Sequence, residues 1–360
     1  MSHKLARTLH ERGCRVTLLA SEAPRPSYLD MSVVRARAPF GSVLRPILNL
    51  PTLLQQALAL RADLYLACNP DTLVLAIALA ALGERVIYDT AEDFAQRPYI
   101  HPAVPRLLAP LVAKSLEAGE RLLTRLAVGV CVTQEPIRAR RGNCLLLANA
   151  PLTRGPVVAE AERIFASIAR PACDLCLVYA GLLTELRGLW RMLDLVARLN
   201  DHLQVRLVLA GEFHPAGLLG AAERHPGWKF VHYQGQVSHA EALAWIRCSD
   251  LGLALLERVA DYPTSSITKI YEYMQYGTPF VASDFQAWRA SINDVAAGLF
   301  VEPADLDGAV AGILALARDP GRLERMRDVG RNFIHEHFNW HVVSKPFVEL
   351  VDSAIAGRGR

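Results

Sequence analysis

Short apolar runs alternate with longer segments of helical period from one end of the chain to the other. Strands buried on both faces read as continuous Val, Ile and Leu runs, and the helices between them are the crossovers that parallel pairing requires. Eleven such runs stand out, at residues 15–20, 64–67, 85–89, 128–133 and 144–147, then at 175–180, 205–210, 230–234, 251–255, 280–282 and 299–301. The pattern predicts two doubly wound α/β units, because 360 residues exceed what one hydrophobic core usually spans. Strand periodicity lapses in the polar, proline-bearing stretch 151–171. The expected domains are therefore 1–165 and 172–335, followed by an amphipathic helix at 340–356.

The first periodic segment is a helix, residues 4–11, stopped by Gly13. A doubly wound unit opens on a strand that ends near the middle of its sheet. The first unit is thus expected to lack that strand, leaving two neighbours with unpaired backbone groups unless the gap is filled. Charge is polarised, with +7 over residues 1–170 and −4 over the remainder. That polarity points the first half toward an anionic partner such as a phosphorylated acceptor or a lipid headgroup. The stretch 105–126, with Lys114, Arg121 and Arg125 among leucines, reads first as a helix packed on the sheet and second as a peripheral contact with an anionic membrane. Basic and aromatic residues do not cluster, which argues against nucleic acid as a partner. The longest apolar run, 73–82, is too short to span a bilayer, and no secretory signal is visible, so a cytoplasmic location is expected. Seven cysteines spread along the chain read as reduced thiols, and the lone CxxC of Cys173 and Cys176 has no second pair to complete a zinc site.

The stretch 261–285, DYPTSSITKIYEYMQYGTPFVASDF, carries the chemistry. Pro263 and the cluster Thr264, Ser265, Ser266 supply a break and N-cap candidates, while Gly277 and Pro279 supply a stop, predicting a helix over 266–276. Its first turn has no carboxylate. It bears Lys269 instead, a positive side chain beside the positive end of the helix dipole, a repulsion that an intervening anion relieves. With the backbone N–H groups from Ser266 to Thr268, this turn reads as a cradle for a phosphate or diphosphate. Glu272 lies three residues on, where it either clasps the vicinal hydroxyls of a ribose or pairs with Lys269 as an i,i+3 salt bridge. Ile267, Ile270, Tyr271 and Met274 are left to face the core.

The segment KIYEYMQYGTPFVASD resembles the retaining, nucleotide-sugar-dependent glycosyltransferases of the two-Rossmann GT-B fold, specifically the GT4-like group, whose members carry a Glu at the position of Glu272 against the donor ribose. LVYAGLLTELRGL at 177–189 looks like the family's first strand and loop of the donor domain, which implies that Gly181 and Arg187 approach the diphosphate. RLVLAGE at 206–212, containing Gly211, then HYQGQVSHAEALAWIRCSDLGLAL at 232–255 and GLFVEPAD at 298–305 follow in the family's order. The resemblance implies two Rossmann-like domains facing each other across a cleft, with the 340–356 helix crossing back to the first. It implies transfer of a sugar from a nucleoside-diphosphate sugar to a saccharide or lipid-linked acceptor, with retention, in surface polysaccharide or glycolipid biosynthesis, and no metal or cofactor besides the donor. Three departures stand out. Thr264 occupies the place of the family's upstream Glu, Leu182 follows the loop glycine where an arginine is common, and Cys68, Asn69 and Ala91 stand where related proteins often place histidines.

On this reading the leaving diphosphate gathers charge as the glycosidic bond breaks, and Arg187, Lys269 and the helix-start amides of Ser266 and Thr268 stand where that charge develops. Asp71, Asp89 and Glu92, at strand ends of the first unit, read first as loop caps and second as acceptor-side residues that orient the acceptor. His335, His337 and His341 read as a helix-end cluster rather than a metal site. Two other readings stay open: a homologue that binds a nucleotide or partner without transfer, and a nucleotide-sugar epimerase on the same fold. No GxGxxG follows any strand, which disfavours a dehydrogenase.

Overall fold

A computed structural model describes residues 2–20, 31–38, 45–90, 94–99, 104–133, 135–259, 262–265 and 267–356. The chain divides into two compact units, one formed by Met1–Asn149 with Ser344–Arg360 and the other by Ala150–Val343. All eleven expected strands form within two residues of their expected positions.

The first unit holds β1 (Thr17–Ala20), β2 (Ser32–Arg35), β3 (Tyr65–Cys68), β4 (Val86–Thr90), β5 (Gly129–Val132) and β6 (Leu145–Leu146). Every pairing is parallel, but the strands fall into two sheets, β1-β2 and β3-β4-β5-β6. β2 is the strand that sequence reasoning missed. Three of its four residues are exposed, so it presents no continuous apolar run. Leu19 of β1 nonetheless packs into the same apolar cluster as Ala67, Tyr88 and Val130. The helix Lys345–Ala356 belongs to this unit: Leu350 fills the space over Gly129, where a Cβ would lie 2.6 Å from its Cδ2, and Asp352 pairs with Arg12 at 2.9 Å.

The helix Ala109–Leu126 buries Ala109, Ala113, Glu120 and Leu123, as expected of a helix on a sheet, and Glu120 pairs with Arg141. Its other side, with the turn before it, exposes Leu107 (94%), Leu108 (50%) and Leu111 (64%) beside exposed Lys114, Arg121 and Arg125. No helix among the described residues is long and apolar enough to cross a membrane.

The second unit is a six-stranded parallel sheet of β7 (Leu175–Ala180), β8 (Val205–Ala210), β9 (Val231–Gly235), β10 (Leu251–Ala254), β11 (Phe280–Ser283) and β12 (Gly298–Val301), in the order β12-β11-β10-β7-β8-β9. Leu177, Leu207 and Leu253 pack into one core and Cys176, Val208 and Ala254 into the other, the alternation that helices on both faces demand. Strand order reverses at β7, so the carboxyl ends of β7 and β10 flank the switch point where open α/β sheets place their ligands.

The domain boundary differs from the expected one. The helix Pro156–Phe165, assigned to a first domain of 1–165, belongs to the second unit: Ala161 is buried in its core, Glu162 pairs with Arg247, and the Arg247 guanidinium lies 4.2 Å from the centre of the Phe165 ring. An amphipathic helix does not declare in sequence which sheet it covers. All seven cysteines are free thiols.

Candidate functional site

Glycines stand at the carboxyl ends of three neighbouring strands, Gly181 after β7, Gly211 after β8 and Gly235 closing β9. The Gly181 N–H donates to Ala210 O and the Gly211 N–H to Gly235 O, both at 2.7 Å, so the sheet is stitched to its rim. Gly211 (φ +152°) has no room for a side chain, because a Cβ would stand 1.9 Å from the Gly181 carbonyl oxygen; at Gly181 (φ +140°) a Cβ would stand 2.4 Å from Lys269 Nζ and displace the ammonium. The bare rim is what lets the lysine reach the strand end.

The loop after β7 runs into a single 3-10 turn, Glu185–Arg187, capped by the Thr184 hydroxyl, which accepts the Arg187 N–H at 3.2 Å. This turn sets Arg187 against the phenols of Tyr179 and Tyr262. Burial opposes the guanidinium charge, but the neighbouring Tyr179 and Tyr262 phenols more than offset that cost, so Arg187 remains charged. The Tyr179 hydroxyl donates onward to Leu182 O at 3.0 Å, and the Tyr179 ring lies 5.3 Å from Lys269 Nζ. Burial pushes the Lys269 pKa down; Glu272 opposes the fall and Arg187 adds to it. Two cations thus share one phenol at the end of the first strand, an arrangement that repels itself until an anion enters.

Lys269 projects from the helix Thr268–Gln275, which buries Ile270, Tyr271, Tyr273 and Met274. Ser265 Oγ bonds back to Tyr262 O at 3.1 Å, and the cap position falls to Ile267, whose side chain makes no cap hydrogen bond. Ser266 lies outside the described residues. Thr268 opens the helix, so the first-turn N–H groups have no acceptor within the helix, as an anion cradle requires.

Among the described residues no ion pair joins Lys269 to Glu272. The Glu272 Oε1 instead lies 3.0 Å from His239 Nε2. Sequence reasoning missed His239, although the signal was present: Ser238 and Glu241 form a reciprocal capping box, which fixes His239 as the first helical residue of His239–Cys248. Gly181, Arg187, Gly211, Thr268, Lys269 and Glu272 therefore gather at one end of one sheet.

The candidates of the first unit behave differently. Asp71 is exposed, in the turn Pro70–Thr72 that follows β3. Asp89 is no loop cap: it sits inside β4, 1% exposed, between Cys68 and Cys131 on the flanking strands, and its Oδ1 has no hydrogen-bond partner. Burial raises its pKa to about 7. Glu92 lies outside the described residues. His341 Nδ1 meets Arg154 at 2.9 Å, and among the described residues no three potential metal ligands converge.

Residues 175–319 match the model of the family described as glycosyl transferases group 1. The second unit is a group 1 glycosyltransferase domain. All six gathered residues fall within that match. Over 173 residues the chain is 30% identical to an MMP alpha-(1->4)-mannosyltransferase of Mycolicibacterium hassiacum, an alignment that covers 48% of this chain and 41% of that relative's length. Solved structures share the fold of this chain. Sucrose-phosphate synthase from Thermosynechococcus elongatus aligns with a TM-score of 0.73 at 17% identity, over 98% of this chain and 92% of its own. HepE of Anabaena, solved in complex with UDP-glucose, aligns with a TM-score of 0.71 at 15% identity, over 98% and 94%. These likenesses establish the GT-B architecture.

Proposed function

We propose that the chain transfers a sugar from a nucleoside-diphosphate sugar to an acceptor hydroxyl with retained anomeric configuration. The observation that carries this reading is the convergence of Lys269 and Arg187 on Tyr179, beside the start of the helix Thr268–Gln275. As the bond between sugar and diphosphate breaks, negative charge grows on the departing oxygen. Two fixed cations and the amides of the first turn stabilise it without reorganising. Glu272, held by His239, accepts the ribose hydroxyls. We assign no protein nucleophile, and the mechanism calls on no metal and no resident cofactor.

The acceptor is a saccharide or a lipid-linked saccharide, oriented from the first unit by Asp71, Asp89 and Glu92. The exposed Leu107, Leu108 and Leu111 beside Lys114, Arg121 and Arg125 support a cytoplasmic enzyme docked on the inner membrane face, in the synthesis of surface polysaccharide or glycolipid. A second reading, nucleotide binding without transfer, is favoured by the division of the first sheet. Thermal-shift screening against nucleoside diphosphates and their sugars tests the first step: a ligand at 100 times its dissociation constant should add about 2.7 kcal/mol. Incubating the stabilising donor with membrane extracts, and reading the anomeric configuration of any new glycoside by NMR, then separates the readings. Binding without product supports the second; no shift with any donor overturns both.

A further inference from the structure

We propose that the cation pair of the second unit also takes a prenyl diphosphate, in competition with the donor. Its anionic head sits on Arg187 and Lys269, and the first carbons of its chain lie on Leu182, Leu186 and Val259. The inference rests on the anion-cradle reading of this site and adds to it a second ligand class and a form of regulation.

The turn Glu185–Arg187 is held at both ends. Thr184 caps it, and Gly188, at φ +81°, closes it so tightly against the residue after β10 that a Cβ would stand 2.0 Å from the Leu255 carbonyl oxygen. The Leu186 carbonyl accepts the Glu257 N–H at 2.9 Å, and the Glu257 carboxylate pairs with Arg191 at 2.7 Å. Leu183 and Leu189, on either side of the turn, are fully buried in the core. A turn fixed in this way cannot roll Leu186 inward after them, and that side chain stays 50% exposed. Leu182 and Val259 are exposed as well.

Single exposed leucines are ordinary, but the position of these three carries the argument. Each adjoins the surroundings of Arg187. The Leu182 carbonyl accepts the Tyr179 hydroxyl at 3.0 Å, the Val259 carbonyl accepts the Tyr262 N–H at 3.1 Å, and those two tyrosines are the phenols beside the guanidinium. Leu186 immediately precedes Arg187 on the turn. Charged neighbours on the β10 side are engaged elsewhere, Glu257 with Arg191 and Arg258 with Glu302 at 3.1 Å.

Cations set beside an apolar rim match a ligand that is anionic at one end and hydrocarbon next to it. Two cations suit a diphosphate head. Three side chains cover a single chain rather than the paired chains of a bilayer phospholipid. A sugar would present hydroxyls to these side chains, whereas a prenyl chain presents carbon and gains by leaving water. The two cations serve one diphosphate at a time, so a bound prenyl diphosphate excludes the nucleotide sugar. Transfer then slows as such a lipid accumulates.

Isothermal titration of the full chain with inorganic pyrophosphate, isopentenyl diphosphate, geranyl diphosphate and geraniol tests this. Affinity should rise along the three diphosphates, with geranyl diphosphate at least about tenfold tighter than pyrophosphate, and geraniol alone should not bind. A nucleoside diphosphate should displace geranyl diphosphate. In Leu182→Ser with Leu186→Ser the ratio of geranyl diphosphate to pyrophosphate affinity should fall toward one. Equal affinity for pyrophosphate and geranyl diphosphate, a ratio unmoved by the two substitutions, or geraniol binding as tightly as its diphosphate would overturn the proposal. Nucleoside diphosphate binding with no gain from the chain leaves the transferase reading standing; no binding of any diphosphate overturns both.

Discussion

Lys269→Met separates binding from stability. Met keeps the length of the stem but removes a charge that burial already disfavours, so folding should be unaffected or gain on the order of 1 kcal/mol. Binding should move the other way. A hydrogen bond to a charged group contributes about 1.5–3 kcal/mol, which is roughly a 10- to 150-fold loss of affinity for a nucleoside diphosphate. The pH dependence adds a second signature. Folding depresses the Lys269 pKa below its ordinary 10.5, so between the depressed value and 10.5 the unfolded chain holds more protons. Stability conferred by the rest of the fold is therefore reduced in full below that window and recovered as pH rises through it. The substitution abolishes that rise. Isothermal titration with the diphosphate, and urea unfolding of both proteins across the alkaline range, read the two effects. A folded Lys269→Met protein that binds the diphosphate within threefold of the parent would refute the anion-cradle reasoning.

Other outcomes follow from the same geometry. Glu272→Ala should leave the apo fold intact and cost about 1.5–3 kcal/mol of nucleotide affinity, and calorimetry should find that the variant no longer distinguishes a ribose diphosphate from its 2′-deoxy analogue. Gly211→Ala forces a Cβ against the Gly181 carbonyl at φ +152°, so chemical denaturation should show a loss of about 1–3 kcal/mol together with weaker diphosphate binding. Asp89, with a folded pKa near 7 against 3.8, binds more protons folded than unfolded, so stability falls as pH rises from about 4 to about 7 and the cost is complete above that. Asp89→Asn should remove this slope and, by urea titration at pH 8, stabilise by up to about 4 kcal/mol, with the gain vanishing near pH 4. Leu107→Asp with Leu111→Asp should abolish co-sedimentation with anionic vesicles while leaving diphosphate binding unchanged; undiminished sedimentation would count against membrane docking.

Strand positions were legible because strands covered on both faces must be apolar at every residue, and β7 and β8 begin and end at the residues the pattern predicts. β2 was illegible for the converse reason, being mostly exposed. The helix with Lys269 and Glu272 was legible from its stop at Gly277 and its inward residues, but its start was not: the hydroxyl run before it suggested a cap, whereas Ser265 turns back to Tyr262. The i,i+3 spacing permitted a Lys269–Glu272 pair, yet each side chain found a partner remote in sequence, Lys269 at the Gly181 rim and Glu272 at His239.

Local pattern thus determined the α/β class, the strands and the residue types of an anion site, because periodicity, turn chemistry and helix electrostatics act over a few neighbours. Tertiary structure alone decided which remote groups meet: Lys269 over Tyr179, His239 on Glu272, the helix Pro156–Phe165 in the second core, Asp89 stripped of water and raised to about 7. Desolvation and steric exclusion depend on what the rest of the chain places alongside a residue, and no short window of sequence contains that information.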